Sequence, residues 1–229
     1  MSGKKLVAVV GWRYEPEWLV NDFTTNIRPI VDELHIIDNR HQSGPWQDEA
    51  AYRRQQRIIA QSLGADWFLL TSPDERFEWD AAEKIRHAIE KGPQDQAYTL
   101  QLCEMWNMRE YRVDGQFANR QRTRLFPMAA MLGDVPHRRI HSPVILPRYK
   151  RRRKPLDVRI YHLKNSVPEN RRLRSDVMKK LDGEIGKDRT RSWDDFLAQD
   201  VVLERIPAER AFYPPYTRPF VWEPEEAMA

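Results

Sequence analysis

In WFLLTSPDERFE (Trp67–Glu78) four apolar residues give way, across a Ser-Pro pair, to two carboxylates and a guanidinium: Asp74, Glu75 and Arg76. Pro73 cannot donate to a sheet ladder and a Ser-Pro pair favours a turn, so the apolar run reads as a strand that stops there. The acids then sit just past the strand's carboxyl end, where the loops of an open α/β sheet enclose a ligand crevice. A plainer account is that they cap a helix starting near Trp79, since acids favour a helix's first turn. Polar groups also close two earlier strand-like segments: Arg13 and Glu15 follow LVAVVGW, and Asp38, Asn39 and Arg40 end ELHIIDN. Farther on, basic residues crowd RYKRRRKP (Arg148–Pro155). Such a run is most simply a solvated loop, and its sharper reading is a surface for nucleic acid or an anionic ligand such as a nucleotide diphosphate.

Regular elements must hold these groups. Residues 6–12 read as a strand, and Pro16 stands where a helix's first turn tolerates proline. Trp18, Leu19, Phe23, Ile27 and Ile30 follow at roughly helical spacing. A strand at 33–39, the polar loop HQSGPW, a helix over about 47–63, the strand at 67–70, a helix over 79–91 and the strand AYTLQLCEMW come next. This βαβαβαβ order implies parallel strands joined by right-handed crossovers, which deliver the three polar sets to one edge. Beyond about residue 105 the alternation breaks into short strand-like pieces, EYRVDGQF, RTRLFP and VRIYHLK, then a helix over 167–181, a small helix at SWDDFL and an extended, proline-dotted tail. The expected class is α/β, with a mostly parallel sheet, flanking helices and an irregular C-terminal extension.

Composition bounds the partners. With 229 residues, 41% hydrophobic and 31% charged, the chain reads as a soluble globular protein of one large domain, or one domain with an appended tail. No apolar run approaches the roughly 20 residues a bilayer span needs. A signal peptide at MSGKKLVAVVGW is interrupted by Arg13, Glu15 and Glu17, so a cytoplasmic location is expected. The single cysteine, Cys103, excludes an internal disulfide framework and a multi-cysteine zinc site.

The order of VAVVGWRYEPE, LHIIDN and GADWFLLTSPDERFE, followed by YRVDGQF, RTRLFP, IHSPVILP and IYHLKNSVPENRRLR, resembles family 2 glycosyltransferases of the GT-A fold, in particular those encoded by actinobacterial phages. The resemblance runs to about Pro214. It implies a Rossmann-like catalytic domain over 1–182, with a nucleotide-binding half (1–105) and an acceptor-side half (106–182), followed by a C-terminal helix and tail over 183–229. It also implies transfer of a sugar, with inversion, from a nucleotide-diphosphate donor to a hydroxyl of a protein or glycan, in the host cytoplasm if the chain is phage-encoded. Breaking the glycosyl bond makes the leaving diphosphate more negative, and a divalent cation held by carboxylates can meet that charge.

On this resemblance Asp74, Glu75 and His162 would hold Mn²⁺ or Mg²⁺. Ser72 stands where the family has its first aspartate, which weakens that ligand set. Asp38 matches the acid that contacts the base or ribose, and an Asx turn is its plain alternative. Arg13 and Glu15 would flank the nucleotide, and Arg54 or Arg57 would face the diphosphate, although a solvated helix face accounts equally for either arginine. Lys164, with Arg171 and Arg172, would add positive charge. Asp114 and His141 are the candidate bases for the acceptor hydroxyl. His141 is followed by Ser142 where related enzymes carry an acid. Two other readings are kept: a non-catalytic protein of the same fold, ranked second because of these missing carboxylates, and, ranked last, nucleic-acid binding through RYKRRRKP with Arg138 and Arg139.

Overall fold

A computed structural model describes residues 3–40, 49–131, 143–184 and 190–221. His141, Arg138, Arg139 and the loop HQSGPW lie outside the described residues. The chain begins with strand β1 (Leu6–Trp12), whose first five residues are fully buried on both faces, as a central parallel strand requires. Helix α1 (Glu17–Ile27) follows Pro16 and turns Leu19, Val20, Phe23 and Ile27 inward. Strand β2 (Glu33–Asp38), helix α2 (Glu49–Ser62) and strand β3 (Trp67–Leu69) complete a βαβαβ unit in which β2 and β3 both pair in parallel with β1. The carboxyl ends of these three strands therefore share one edge of the sheet.

Strand β4 (Glu75–Phe77) comes only six residues after β3, yet it lies at the opposite side of the sheet. Helix α3 (Ala81–Lys91), strands β5 (Ala97–Glu104), β6 (Glu110–Arg112) and β7 (Gln121–Pro127), helix α4 (Pro147–Arg151), strand β8 (Arg153–His162), helices α5 (Pro168–Glu184) and α6 (Thr190–Asp194) and strand β9 (Leu203–Arg205) follow. The seven-stranded order is β2-β1-β3-β7-β5-β8-β4. Strands β7 and β4 run against the other five. The sheet is mostly parallel, as expected; what the alternation did not mark is RTRLFP, which inserts antiparallel between β3 and β5. Nothing in a short segment with two buried apolar residues, Leu125 and Phe126, marks it as a central strand.

The crossing from β3 to β4 constrains the sheet's shape. Three strands intervene, so a flat sheet would separate the two by roughly 19 Å at the usual ~4.8 Å spacing. The link contains a turn closed by the Glu75 N–H donating to the Ser72 carbonyl at 3.1 Å, which limits its reach to roughly 17 Å. The sheet must curl to bring β4 within range. Irregularities in β5's pairing supply local bends: Arg124 is the extra residue of a bulge against β5, and the β5–β8 register slips beside Pro155, which has no N–H to give.

The outer edge of β4 is covered by α1. Asn26 is buried; its amide donates to the Phe77 carbonyl at 2.9 Å and its carbonyl oxygen accepts the Phe77 N–H at 2.8 Å. One side chain thus replaces a missing strand partner. RYKRRRKP forms α4 and the start of β8 rather than a loop. Tyr149 packs inward while the cationic side chains of Lys150 through Lys154 stay exposed, so the run satisfies solvent and sheet together. The tail is extended, as its prolines suggest, but it is bound: β9 pairs with β6, and Phe212, Tyr216 and Phe220 are buried with Leu19, Cys103 and Tyr161. Among the described residues no helix is long and apolar enough to cross a membrane.

Candidate functional site

The short link from β3 to β4 carries Asp74 across the sheet's carboxyl edge to the ends of β5 and β8. There the Leu163 N–H donates to the Asp74 carbonyl at 2.8 Å, and Glu75 pairs across the strands with His162. The imidazole of His162, 8% exposed, bridges two acids: Nε2 lies 3.1 Å from Asp74 Oδ2 and Nδ1 lies 2.6 Å from Glu104 Oε2. Burial by itself would lower the imidazole's pKa, but the carboxylates of Glu104 and Asp74 outweigh it and push the ring up to about 9. With both nitrogens protonated the ring donates to each acid.

Glu104 ends β5 and anchors the group. Its carboxylate also accepts from the Asn165 amide, pairs with Arg120, and lies 3.7 Å from the Arg174 guanidinium. Burial opposes ionisation, yet His162, Arg120 and Arg174 together hold this carboxyl well below the usual range. Asp74 behaves likewise, with His162 and Lys164 overcoming burial. The Ser72 hydroxyl donates to Asp74 Oδ1 at 2.6 Å, so it orients the neighbouring acid. Glu75 is 1% exposed; it pairs with Arg124 and accepts the Thr71 hydroxyl at 3.0 Å and the Ser72 N–H at 3.2 Å. Burial dominates there, and the Glu75 pKa is raised.

Arg76 fixes the link itself. Its buried guanidinium donates to the carbonyls of Pro73 (2.9 Å), Glu75 (2.8 Å) and, on α1, Leu19 (2.9 Å). Desolvation lowers it to about 10. A cation that spends its donors on three backbone carbonyls ties the turn to the helix behind it.

From the other side Glu15 approaches. Its carboxylate accepts the N–H groups of Arg13 (3.0 Å) and Tyr14 (3.2 Å), and burial together with the nearby charge of Asp74 raises its pKa. Lys164 is half-buried, and desolvation depresses its ammonium to about 7 despite the attraction of Asp74 and Glu15. At the end of β1, a Cβ on Gly11 would lie 3.1 Å from the Asn39 amide nitrogen and 3.2 Å from the Tyr52 hydroxyl, so β1, the end of β2 and helix α2 approach closely here.

Of the residues singled out from sequence, Glu15, Ser72, Asp74, Glu75, His162 and Lys164 thus come together. Asp38 is paired instead with Arg40: Nε donates to Oδ1 at 2.9 Å, Nη2 to Oδ2 at 2.5 Å, and the Arg40 N–H closes an Asx-type turn at 3.1 Å. The same guanidinium stacks 3.8 Å from the Trp12 ring centroid. Arg54 and Arg57 are half-buried on α2, whose Gln56 amide donates to the Val9 carbonyl at 2.6 Å. Arg171 donates to the carbonyls of Trp106 and Asn165, at 3.0 and 2.7 Å, and Arg172 is exposed. Asp114 accepts from Arg112, Nε at 2.5 Å and Nη2 at 3.1 Å, and these bonds hold its carboxyl below the usual range; none of its contacts among the described residues reaches the Asp74–Glu104 group.

Sequence reading missed Glu104, Asn165, Arg120, Arg124 and Arg174. Glu104 obeys the rule that found Asp38 and Asp74, an acid closing an apolar strand, and the strand's continuation into Met105 and Trp106 hid it.

The residues do not fit the three-ligand cation site implied for Asp74, Glu75 and His162. Both nitrogens of His162 are engaged by carboxylates, and Glu75 is engaged by Arg124. Among the described residues no group of three or more His, Cys, Asp or Glu side chains is arranged to hold a metal ion.

No protein-family model matches the chain, and no curated protein matches it. Among solved structures it is similar to a glycosyltransferase involved in the glycosylation of the major capsid of PBCV-1, with a TM-score of 0.30 and 13% identity over 42% of this chain and 51% of that one. The chain thus spans about half of that structure's length, and a likeness of this size carries no argument about function.

Proposed function

We propose that the chain is a glycosyltransferase of the GT-A type, akin to family 2, that moves a sugar from a nucleotide-diphosphate donor to an acceptor hydroxyl on a protein or glycan. The observation that carries this reading is the meeting of Glu15, Asp74, His162 and Lys164 at the carboxyl edge of a mostly parallel sheet, with Glu104 behind them. That edge is where an α/β sheet binds its ligand. The nucleotide would lie across the ends of β1, β2 and β3, with Asp38 and Arg13 beside it. The diphosphate would meet positive charge that is already in place: the imidazolium of His162, Lys164 and the arginines paired to Glu104 and Glu75. Such preorganised charge stabilises a leaving group that gains negative charge as its bond breaks.

Isothermal titration with UDP, GDP and dTDP tests the reading, run with and without Mn²⁺ because the three-ligand set is not assembled. Failure of all three to bind would count against it. In a panel of nucleotide sugars, Asp74→Ala is expected to lose donor turnover at a temperature where circular dichroism shows it folded, although breaking its buried pair with His162 lowers the unfolding midpoint as Glu104→Gln does; full activity would remove Asp74 from the site.

One observation favours a second reading. Asp74 and Glu75 both have their oxygens engaged by protein groups, as a binding protein without catalysis would have. Donor binding without hydrolysis or transfer across the panel would select it.

A further inference from the structure

Arginine recurs at every second residue entering β7: Arg120, Arg122 and Arg124. Two of them are matched to buried acids, Arg120 to Glu104 and Arg124 to Glu75, the latter re-aimed by the bulge in its strand. Arg122, between them, is exposed and makes no hydrogen bond or ion pair among the described residues. In the register it stands opposite the apolar Leu100 of β5, and no acid among the described residues is ion-paired with it. Alternate residues on a strand are only about 7 Å apart, so three guanidinium groups repel one another there unless anions separate them. Glu104 and Glu75 serve the outer two.

Because β7 runs antiparallel to β3 and β5, its amino end lies at their carboxyl edge, the edge that holds Asp74 and His162. We propose that Arg122 is a substrate-binding residue that takes a phosphate oxyanion at this edge, completing the alternation of charge along β7. The planar fork of a guanidinium matches two oxygens of a phosphate, which is why arginine serves this role better than a point charge. Desolvation lowers the guanidinium to about 10, with the neighbouring charges of Arg120, Arg124 and Arg174 adding to the shift and Glu104 opposing it only in part. The phosphate belongs either to a nucleotide-diphosphate donor, which rests on the function proposed above, or to a phosphate-bearing acceptor, which does not require the donor to bind beside Arg122.

Isothermal titration of the full chain with inorganic pyrophosphate and, separately, with UDP tests this in the wild type, Arg122→Gln and Arg28→Gln, an exposed arginine after α1 serving as the charge control. Arg122→Gln is expected to weaken pyrophosphate binding at least tenfold with an unchanged unfolding midpoint, whereas Arg28→Gln stays within twofold of wild type. If UDP is weakened in parallel the phosphate is the donor's, and if UDP is unaffected it is the acceptor's. The proposal is overturned if wild type does not bind pyrophosphate, if Arg122→Gln binds it within twofold of wild type, or if both variants lose affinity equally. Pyrophosphate binding that depends on Arg122, together with no preference for any nucleoside diphosphate over pyrophosphate, would keep this inference and sink the donor reading.

Discussion

Replacing Glu104 by glutamine keeps the side chain's shape and removes its charge, leaving His162 and Arg120 facing a neutral amide. Breaking a buried ion pair from one side costs roughly 3–5 kcal/mol, because the remaining charge stays desolvated. For a chain of this size each kcal/mol moves the midpoint by roughly 2–4 °C, so Glu104→Gln should melt on the order of 10 °C below wild type. A pH profile separates this from simple mispacking. His162 sits at about 9 in the folded chain against an ordinary value of 6.5. The stabilisation from its protonation is fully present below about pH 6.5 and is lost as pH rises through about 9, a change of about 3 kcal/mol for a shift of this size.

Lys164, depressed to about 7, acts in the opposite sense: folding gains stability as pH rises from about 7 to 10.5. The informative quantity is therefore the difference between wild type and Glu104→Gln in urea unfolding, measured from pH 6 to pH 9. That difference should be largest at pH 6 and shrink by pH 9. A variant within about 1 kcal/mol of wild type at pH 6, or a difference that does not change with pH, would refute the picture of a charged imidazole held between two acids.

Three further outcomes are expected. Cys103 is buried and its thiol is pushed up to about 12, chiefly by desolvation, so it should resist alkylation at pH 8 and react promptly in 6 M urea; equal rates would show that the thiol is accessible. Asn26→Ala should cost roughly 2–4 kcal/mol by leaving both backbone groups of Phe77 without partners, read as a drop in the urea midpoint, with a change below 0.5 kcal/mol (about the noise of such work) counting against the edge-covering role. Gly11→Ala should destabilise by roughly 1–2 kcal/mol, because Asn39 and Tyr52 must give way by a few tenths of an ångström, and should weaken UDP binding more than the remote Gly64→Ala.

Much of the first half was legible in the sequence because single signals sufficed. β1 is an unbroken apolar run, α1 carries Leu19, Phe23 and Ile27 on one side, and Pro73 marks where β3 must stop. Where those signals were absent the reading failed for identifiable reasons. β4 is three residues long, and two of them, Glu75 and Arg76, are charged yet 1% exposed; only partners contributed by β7, the link and α1 make that burial tolerable. Pattern along the chain cannot report partners that lie 49 or 57 residues away. The same holds for Glu104, whose neighbours come from β8, the turn after it, α5 and the residue before β7. RYKRRRKP looked like solvent-facing loop because its charge is real, but charge reports exposure, and a helix turn followed by a strand end can be exposed as readily as a loop.

The leap from β3 to the far strand β4 also sets an order of events for the folding chain. Asp74 and Glu75 emerge early, but β4 has no sheet neighbour besides β8, and the Asp74 carboxylate meets His162 only when a residue 88 positions later arrives. Contacts of such long range are slow to close and are made late. The βαβαβ unit can gather its apolar strands first, whereas Asp74 and Glu104 must wait for β8 to bring His162 between them. A nascent chain halted before residue 153 would hold every acid of the cluster but neither His162 nor Lys164 to stand between them.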